Sequence, residues 1–402
     1  MKVQIFTNNF LPRVSGVAVA VNFLNTALNT AGHQTMIVAP DYGYGRKIRG
    51  IEVFRVRSLY LKPKRVAMPF ANVEESAIRE VTENWDPDLI HSHHPFGLGN
   101  AALSMADEKQ VPLVYTFHTL YDFFAHYLLL DTEKVRKAVR DYVVRYANRC
   151  DLVITPTEPI KEHLRQEGVT VRMEAVPTGI DFSRFEKVKE EQVEELREKY
   201  SLNKFDKVLL NVGRISKEKN VYLALSALKK LTDRGKNYCL LFVGDGPEIS
   251  GLSKQAEEWG ISDRLVWGGF LDQDSLAGAY FAGDVFLFPS MSDTQGIVLY
   301  EAEAAGLPIV ATDSMASRAE LRDGKNGLFA ENDPDDYAEK IEEVLRSPDK
   351  YTEDFDTGAF SAEGLGKTYD RLYREVHARG RRPEPEDNTV FSRLMDEIKE
   401  LL

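Results

Sequence analysis

The residues best placed to do chemistry are carboxylates and cations in loops that follow apolar runs. Ser290 to Gly306, SMSDTQGIVLYEAEAAG, follows the run VFLFP and reads as a loop ending at Gly296 that opens a helix. Such a loop offers free backbone N–H groups and the positive end of a helix dipole, which together suit a phosphate. Glu301 falls in the second turn and Asp293 in the loop eight residues earlier. Carboxylates so placed accept hydrogen bonds from sugar hydroxyls beside a bound diphosphate. The same pattern also describes an ordinary capped helix with a solvated carboxylate. A second segment, NVGRISKEKN, brings Arg214 and Lys219 to the end of a strand. There the arginine fork and the lysine point charge could neutralise a diphosphate, although loop cations are often only solvated. GDGP at Gly244 to Pro247 adds a tight turn with a bare backbone.

Gly16 sits in the first strand-to-helix loop, where a residue without a side chain lets the backbone approach a ligand, or merely makes a turn. His118, in VYTFHTLYDFFAHY, follows a buried strand, with Tyr121 and His126 close behind. His91, His93 and His94 are clustered, but neighbours on a strand point to opposite faces and no cysteine or carboxylate is spaced for zinc, so no metal site is expected. Asp86, Pro87 and Asp88 form a D-x-D that precedes a strand, on the wrong end of a sheet for a diphosphate, and is expected to be a turn. No Walker A loop, GxSxG elbow or G-x-G-x-x-G fingerprint occurs. Eight basic residues lie between Arg46 and Arg65, including Arg55, Arg57, Lys62, Lys64 and Arg65, against the single acid Glu52. Phe54, Leu59, Tyr60 and Leu61 interleave with them, and Lys134, Arg136, Lys137, Arg140, Arg145 and Arg149 form a second basic set. At about 1 kcal/mol per cation near an anionic leaflet, a joint patch would dock reversibly on a membrane. Solvated surfaces of an edge strand and a helix would look the same.

The elements that must position these residues alternate between strand and helix. Strands are expected at Lys2 to Thr7, Gln34 to Ala39, Ile51 to Tyr60, Leu89 to His91 (as a strand edge), Pro112 to Thr116 and Leu152 to Thr155. Helices are expected at Val17 to Ala31, Ser76 to Glu83 and Glu133 to Asn148. Past VPTG the composition changes to the charged helix EKVKEEQVEELREKY, and the pattern restarts. Strands follow at Lys207 to Val212, Cys239 to Val243, Leu265 to Trp267, Val285 to Phe288 and Ile309 to Ala311, with helices at Val221 to Leu231, Ile297 to Ala305 and Tyr337 to Leu345. This is α/β patterning: two doubly wound units, each with a parallel sheet covered on both faces, facing each other across a cleft. The expected divisions are 1–182, 183–358 and 359–402. In the last, a helix from about Phe360 to Arg379, with room to return to the first unit, precedes a turn, RRPEPEDN, and an amphipathic helix, Thr389 to Leu402.

With 402 residues, 43% hydrophobic and 28% charged, the chain is too long for one core and too apolar for general disorder. Its 51 basic and 63 acidic residues give a net charge of −12, which argues against a protein wrapped along nucleic acid. Up to Ile180 the balance is 21 basic to 19 acidic, and beyond it 30 to 44. Cys150 and Cys239 are the only cysteines, so neither a disulfide framework nor a thiolate cluster is expected. The N-terminal apolar run is short and alternating, and no stretch reaches about 18 apolar residues. A cytoplasmic protein, with room for a peripheral contact on the inner face of the cell membrane, is the expectation.

Taken together, HSHHPFGLG, YTFHTLYDFFAHY, VPTGIDFSRF, NVGRISKEKN, FVGDGPE and FPSMSDTQGIVLYEAEAAGLPIVAT resemble, in order, the landmarks of the retaining GT-B glycosyltransferases of family GT4. The resemblance covers roughly residues 1 to 345, and HHPF, HTLYDFFAHY and SDTQG are most similar to its diacylglycerol glucosyltransferase branch. It implies a nucleotide sugar, UDP-glucose, as co-substrate with no further cofactor, and a lipid acceptor. Gly16 would pack near the diphosphate, Arg214 and Lys219 would bind it, and Gly296, Ile297 and Val298 would present N–H groups to phosphate or sugar. Glu301 would bind the ribose, and His118 would contact the donor sugar at the reaction centre. The family's E-x7-E pair is here Asp293 and Glu301, with a shorter first carboxylate. Tyr121, His126 and the basic set Arg55 to Arg65 would serve acceptor or membrane, and closure about Thr178 to Phe185 would exclude water. UDP against GDP, glucose against galactose or mannose, the linkage, transfer to a soluble sugar phosphate or glycan, a non-catalytic nucleotide-sugar binding module, the oligomeric state and the role of the last helix all stay open at this level.

Overall fold

The computed structural model describes residues 1–12, 15–41, 50–56, 78, 85–121, 132–353, 355 and 357–383. These form two compact units, one of Met1–Ile180 joined by the segment that begins at Gly358, the other of Asp181–Thr357.

The first unit is built on seven parallel strands: β1 (Lys2–Phe6), β2 (Gln34–Pro40), β3 (Val53–Val56), β4 (Leu89–Ser92), β5 (Leu113–Thr116), β6 (Leu152–Thr155) and β7 (Met173–Ala175). Their order is β3-β2-β1-β4-β5-β6-β7. β4 is therefore an interior strand, paired with β1 and β5, and not the edge its brevity suggests. The second unit has β8 (Lys207–Val212), β9 (Tyr238–Val243), β10 (Leu265–Gly269), β11 (Val285–Phe288), β12 (Ile309–Thr312) and β13 (Gly327–Ala330), in the order β10-β9-β8-β11-β12-β13, all parallel. Strands such as LVIT and VFLF are buried along their whole length, as a sheet covered on both faces requires.

In each sheet the winding reverses once, between β1 and β4 in the first and between β8 and β11 in the second. Chains leaving the carboxyl ends of such a strand pair turn to opposite faces of the sheet and leave a crevice, which is where open α/β sheets bind ligands.

The helix Ala362–Arg379 belongs to the first unit, where it packs on the helix Gly16–Thr30. Gly366 permits that approach, because a Cβ there would lie 2.6 Å from the carbonyl oxygen of Ala27. Arg381 fastens the segment just beyond. Its guanidinium, nearly inaccessible to solvent, reaches Asp107 at 2.7 Å and the buried Asp151 at 2.8 Å. The expected helices at Ser76 to Glu83, apart from Ile78, and at Thr389 to Leu402 lie outside the described residues. Among the described residues no helix is long and apolar enough to cross a membrane.

Candidate active site

In the second unit the residues singled out from the sequence converge on the crevice between β8 and β11. The loop after β8 carries the exposed Arg214 and the half-buried Lys219, and the loop after β11 carries Asp293. Lys219 and Asp293 form an ion pair. Ser292 Oγ donates to the Glu218 carbonyl at 2.9 Å and ties the same two loops. Gly244 and Gly246 of the GDGP turn back this arrangement. A Cβ on Gly244 would stand 1.9 Å from the Gly213 carbonyl oxygen and one on Gly246 2.1 Å from that of Ile215, so no side chain fits at either position.

The helix Ile297–Ala304 begins at Gly296, whose φ of 70° lies in the left-handed region and whose missing Cβ would meet Phe288 and Leu299 at 3.0 and 3.1 Å. Gly296 has no side chain with which to cap this helix, and the N–H groups of Ile297 and Val298 lie in its first turn, just after the β11 loop. Glu301, one turn further, is buried. It pairs with Arg184 through one carboxylate oxygen and accepts a 2.7 Å hydrogen bond from Tyr280 on the other. Burial pushes its pKa up and the Arg184 guanidinium opposes that shift. The carboxylate assigned to a ribose thus already has two protein partners, neither of which the sequence singled out. Its second lone pairs remain able to accept from a hydroxyl.

In the first unit Gly16 is the first residue of its helix, and Ser15 caps it by accepting from the Ala18 N–H at 3.2 Å. Among the described residues a Cβ on Gly16 would meet no atom within 4 Å. The three histidines around β4 are buried. His91 lies between the Tyr373 hydroxyl at 2.6 Å and the Thr116 hydroxyl at 2.7 Å, and His94 Nδ1 accepts from the Asn8 N–H at 3.1 Å. His93 Nδ1 lies 2.8 Å from Nε2 of His118, two residues past the end of β5. Burial pulls His91 and His94 down to about 3 and His118 to about 4, with His93 well below its ordinary value, so all four are neutral at pH 7. Among the described residues no three histidines, cysteines or carboxylates are grouped to hold a metal. Asp86 pairs with Lys109 and Asp88 accepts from the Lys2 N–H, so both acids of the D-x-D, in the segment before β4, are engaged within the first unit.

Two members of the acceptor or membrane set are withdrawn from the surface. Arg55 is buried on β3, donating to the carbonyls of Pro40 and Leu11, because an interior-facing strand position gives its guanidinium no route to solvent. Tyr121 is buried against Phe96 and Phe117. Arg57, Lys62, Lys64, Arg65 and His126 lie outside the described residues.

Two family models tile the chain, Glycosyltransferase Family 4 over residues 14–184 and Glycosyl transferases group 1 over 192–360. The chain is built of the two domains of a GT4-type GT-B glycosyltransferase. Alpha-monoglucosyldiacylglycerol synthase of Streptococcus pneumoniae (strain ATCC BAA-255 / R6) is 28% identical over 99% of this chain and 91% of that protein. The synthase of the same name from Acholeplasma laidlawii is 26% identical over 94% and 97%. Among solved structures, sucrose-phosphate synthase from Thermosynechococcus elongatus superposes with a TM-score of 0.80 at 19% identity, over 94% of this chain and 99% of that one. Anabaena HepE in complex with UDP-glucose gives 0.69 at 17%, over the full length of both. These GT-B neighbours share the fold.

Proposed function

We propose that this glycosyltransferase moves glucose from UDP-glucose to a diacylglycerol-type lipid at a membrane surface, with retention at the anomeric carbon. The observation that carries the donor half is the convergence of Arg214, Lys219 and the start of the helix Ile297–Ala304, opened by Gly296, on one crevice, the place and charge a nucleotide diphosphate needs. The acceptor half is supported by near full-length similarity to two monoglucosyldiacylglycerol synthases.

In this reading the diphosphate draws Lys219 away from Asp293, and the released carboxylate accepts from a hydroxyl of the transferred sugar. Glu301, held by Arg184 and Tyr280, receives the ribose hydroxyls. Arg214, Lys219 and the helix N-terminus stabilise the charge that develops as the anomeric C–O bond to the β-phosphate breaks. The acceptor hydroxyl forms the new C–O bond on the same face, and its proton passes to a leaving phosphate oxygen. Neutral His118 hydrogen-bonds the transferred sugar, and Gly16 leaves room for the diphosphate.

The test is a product assay with a panel of UDP- and GDP-sugars and diacylglycerol in anionic mixed micelles, read by mass spectrometry beside free-sugar release. A monoglucosyl lipid from UDP-glucose alone is expected. Donor hydrolysis without glycolipid would remove the lipid acceptor and direct the search to soluble acceptors, and turnover of no donor would leave a nucleotide-sugar binding module.

A further inference from the structure

His93 has no part in the proposed reaction, yet it is more deeply buried than the histidine assigned to it, and its position is unusual. Its Nδ1 meets Nε2 of His118 at 2.8 Å, its ring lies 22° from parallel with that of His118, and on its other side it packs on His91 with centroids 4.3 Å apart. Its own Nε2 is buried and has no hydrogen-bond partner among the described residues.

That orphan nitrogen decides which way the bond runs. A neutral imidazole carries one proton, so an N–H on one of the facing nitrogens must point at a bare lone pair on the other. If His118 donated from Nε2, His93 would have to hold its own proton on the buried Nε2, leaving an N–H with no acceptor. If His93 donates from Nδ1, only a lone pair is left over. Buried donors without partners are the rarer and costlier of the two. The interior position of β4 and the His91 ring, itself fixed between Tyr373 and Thr116, hold His93 in place for this.

We infer that His93 is a positioning residue, whose Nδ1–H donates to Nε2 of His118 and so fixes the tautomer and orientation of the imidazole assigned to the transferred sugar. The inference rests on the assignment of His118 to that sugar, and it adds the residue that sets which nitrogen carries the proton.

The first readout needs no substrate. In the full-length protein labelled with 15N-histidine, long-range 1H–15N spectra, assigned with a His118→Phe variant, should show a pyrrole-type Nδ1 and a pyridine-type Nε2 for His118. A pyrrole-type Nε2 would overturn the proposal, whatever the variants do. The second readout is kinetic. His93→Phe keeps an aromatic ring in the stack but removes the donor, and should lower kcat for glucosyl transfer roughly 10- to 100-fold, as a misdirected group does, while the donor KM moves less than about threefold. His93→Asn places an amide N–H near the lost Nδ1 and should recover most of that rate together with the wild-type His118 spectrum. Unchanged kcat in His93→Phe, beside a strong loss in His118→Phe, would overturn the positioning role alone. Full turnover in His118→Phe would overturn the assignment of His118, and the positioning role with it. Should His93→Phe fail to fold, the wild-type spectrum and His93→Asn still decide.

Discussion

In the proposed donor site Glu301 is the residue on which most turns, because a buried carboxylate is tolerated only with a matching charge. Arg184 supplies it, with Tyr280 on the second oxygen. Removing one member of such a pair strands the other, at a cost of about 3 to 5 kcal/mol. Arg184→Met should therefore destabilise the protein by about that amount in urea unfolding and weaken UDP binding, measured by calorimetry, by roughly tenfold for one lost charge-assisted contact. Adding Glu301→Gln should restore most of the stability, since the uncompensated charge goes with it, but not the UDP affinity. Wild-type stability in Arg184→Met would remove the pair from the account of the site. Asp293, Arg214 and Lys219 can be singled out in the sequence because each lies two to seven residues past a strand end, and Glu301 because it lies one turn into the helix that follows the β11 loop. Arg184 cannot, since it lies 117 residues from its partner and only the folded sheet brings the two together. The bond between His93 and His118 escaped for the same reason. Alternation along a strand says which face a residue takes, not which neighbouring strand delivers a ring to it.

At the scale of the element, β4 and the residues directly after it hold three neutral histidines in an interior position of a sheet. Their ordinary value is 6.5, whereas burial holds His91 and His94 at about 3 in the folded chain. The unfolded chain thus binds more protons than the folded one between about pH 3 and 6.5. The stability they contribute is fully present above pH 6.5 and is lost progressively as the pH falls through that window. Each group adds up to about 1.4 kcal/mol per pH unit to the slope. Urea titrations between pH 7 and pH 5 should show this fall. His94→Asn, whose Oδ1 can still accept from the Asn8 N–H, should make it shallower by about one proton. An unchanged slope would mean that His94 is not buried neutral. Strands such as β8 and β11 could be read in advance because a parallel sheet demands unbroken apolar runs, and KVLLNV and VFLF have them. The helix Leu98–Lys109 could not, because LGNAALSMADEK is largely small residues and starts at Gly97 with no side-chain cap. β7, three residues long, is too short to show any period. Ser, His and Gly in these segments are tolerated because tertiary contacts, such as the Tyr146 hydroxyl on the Gly99 carbonyl at 3.0 Å, do what local propensity does not.

For the molecule as a whole, a net charge of −12 opposes approach to an anionic leaflet, so the proposed reaction at a membrane would need a basic segment presented to the lipid. The helix Glu133–Arg149 is a weaker candidate than its composition suggests. Arg140 faces Glu133 at 3.0 Å and Glu167 at 3.7 Å, Lys137 faces Asp141 at 3.9 Å, and Arg149 pairs with Asp107 at 2.9 Å. Cations already matched by acids lose part of their attraction for lipid phosphate. Arg55 is also spent, on backbone carbonyls. With Arg55 set aside, the basic set keeps Arg46, Lys47, Arg49, Arg57, Lys62, Lys64 and Arg65, and in the proposed docking Leu59, Tyr60 and Leu61 would add apolar insertion. At about 1 kcal/mol per cation, reversing Lys62, Lys64 and Arg65 to glutamate should cost at least about 3 kcal/mol, a loss of roughly a hundredfold in partitioning onto phosphatidylglycerol vesicles measured by sedimentation. UDP affinity, which the proposed site assigns to the loops after β8 and β11, should stay as in the wild type. Molar salt should release the wild-type protein as the variant is released, because the Debye length then falls to about 3 Å. Equal binding to neutral and anionic vesicles, or binding that ignores salt, would show that charge does not hold the protein to the membrane and would move the lipid contact to apolar insertion alone.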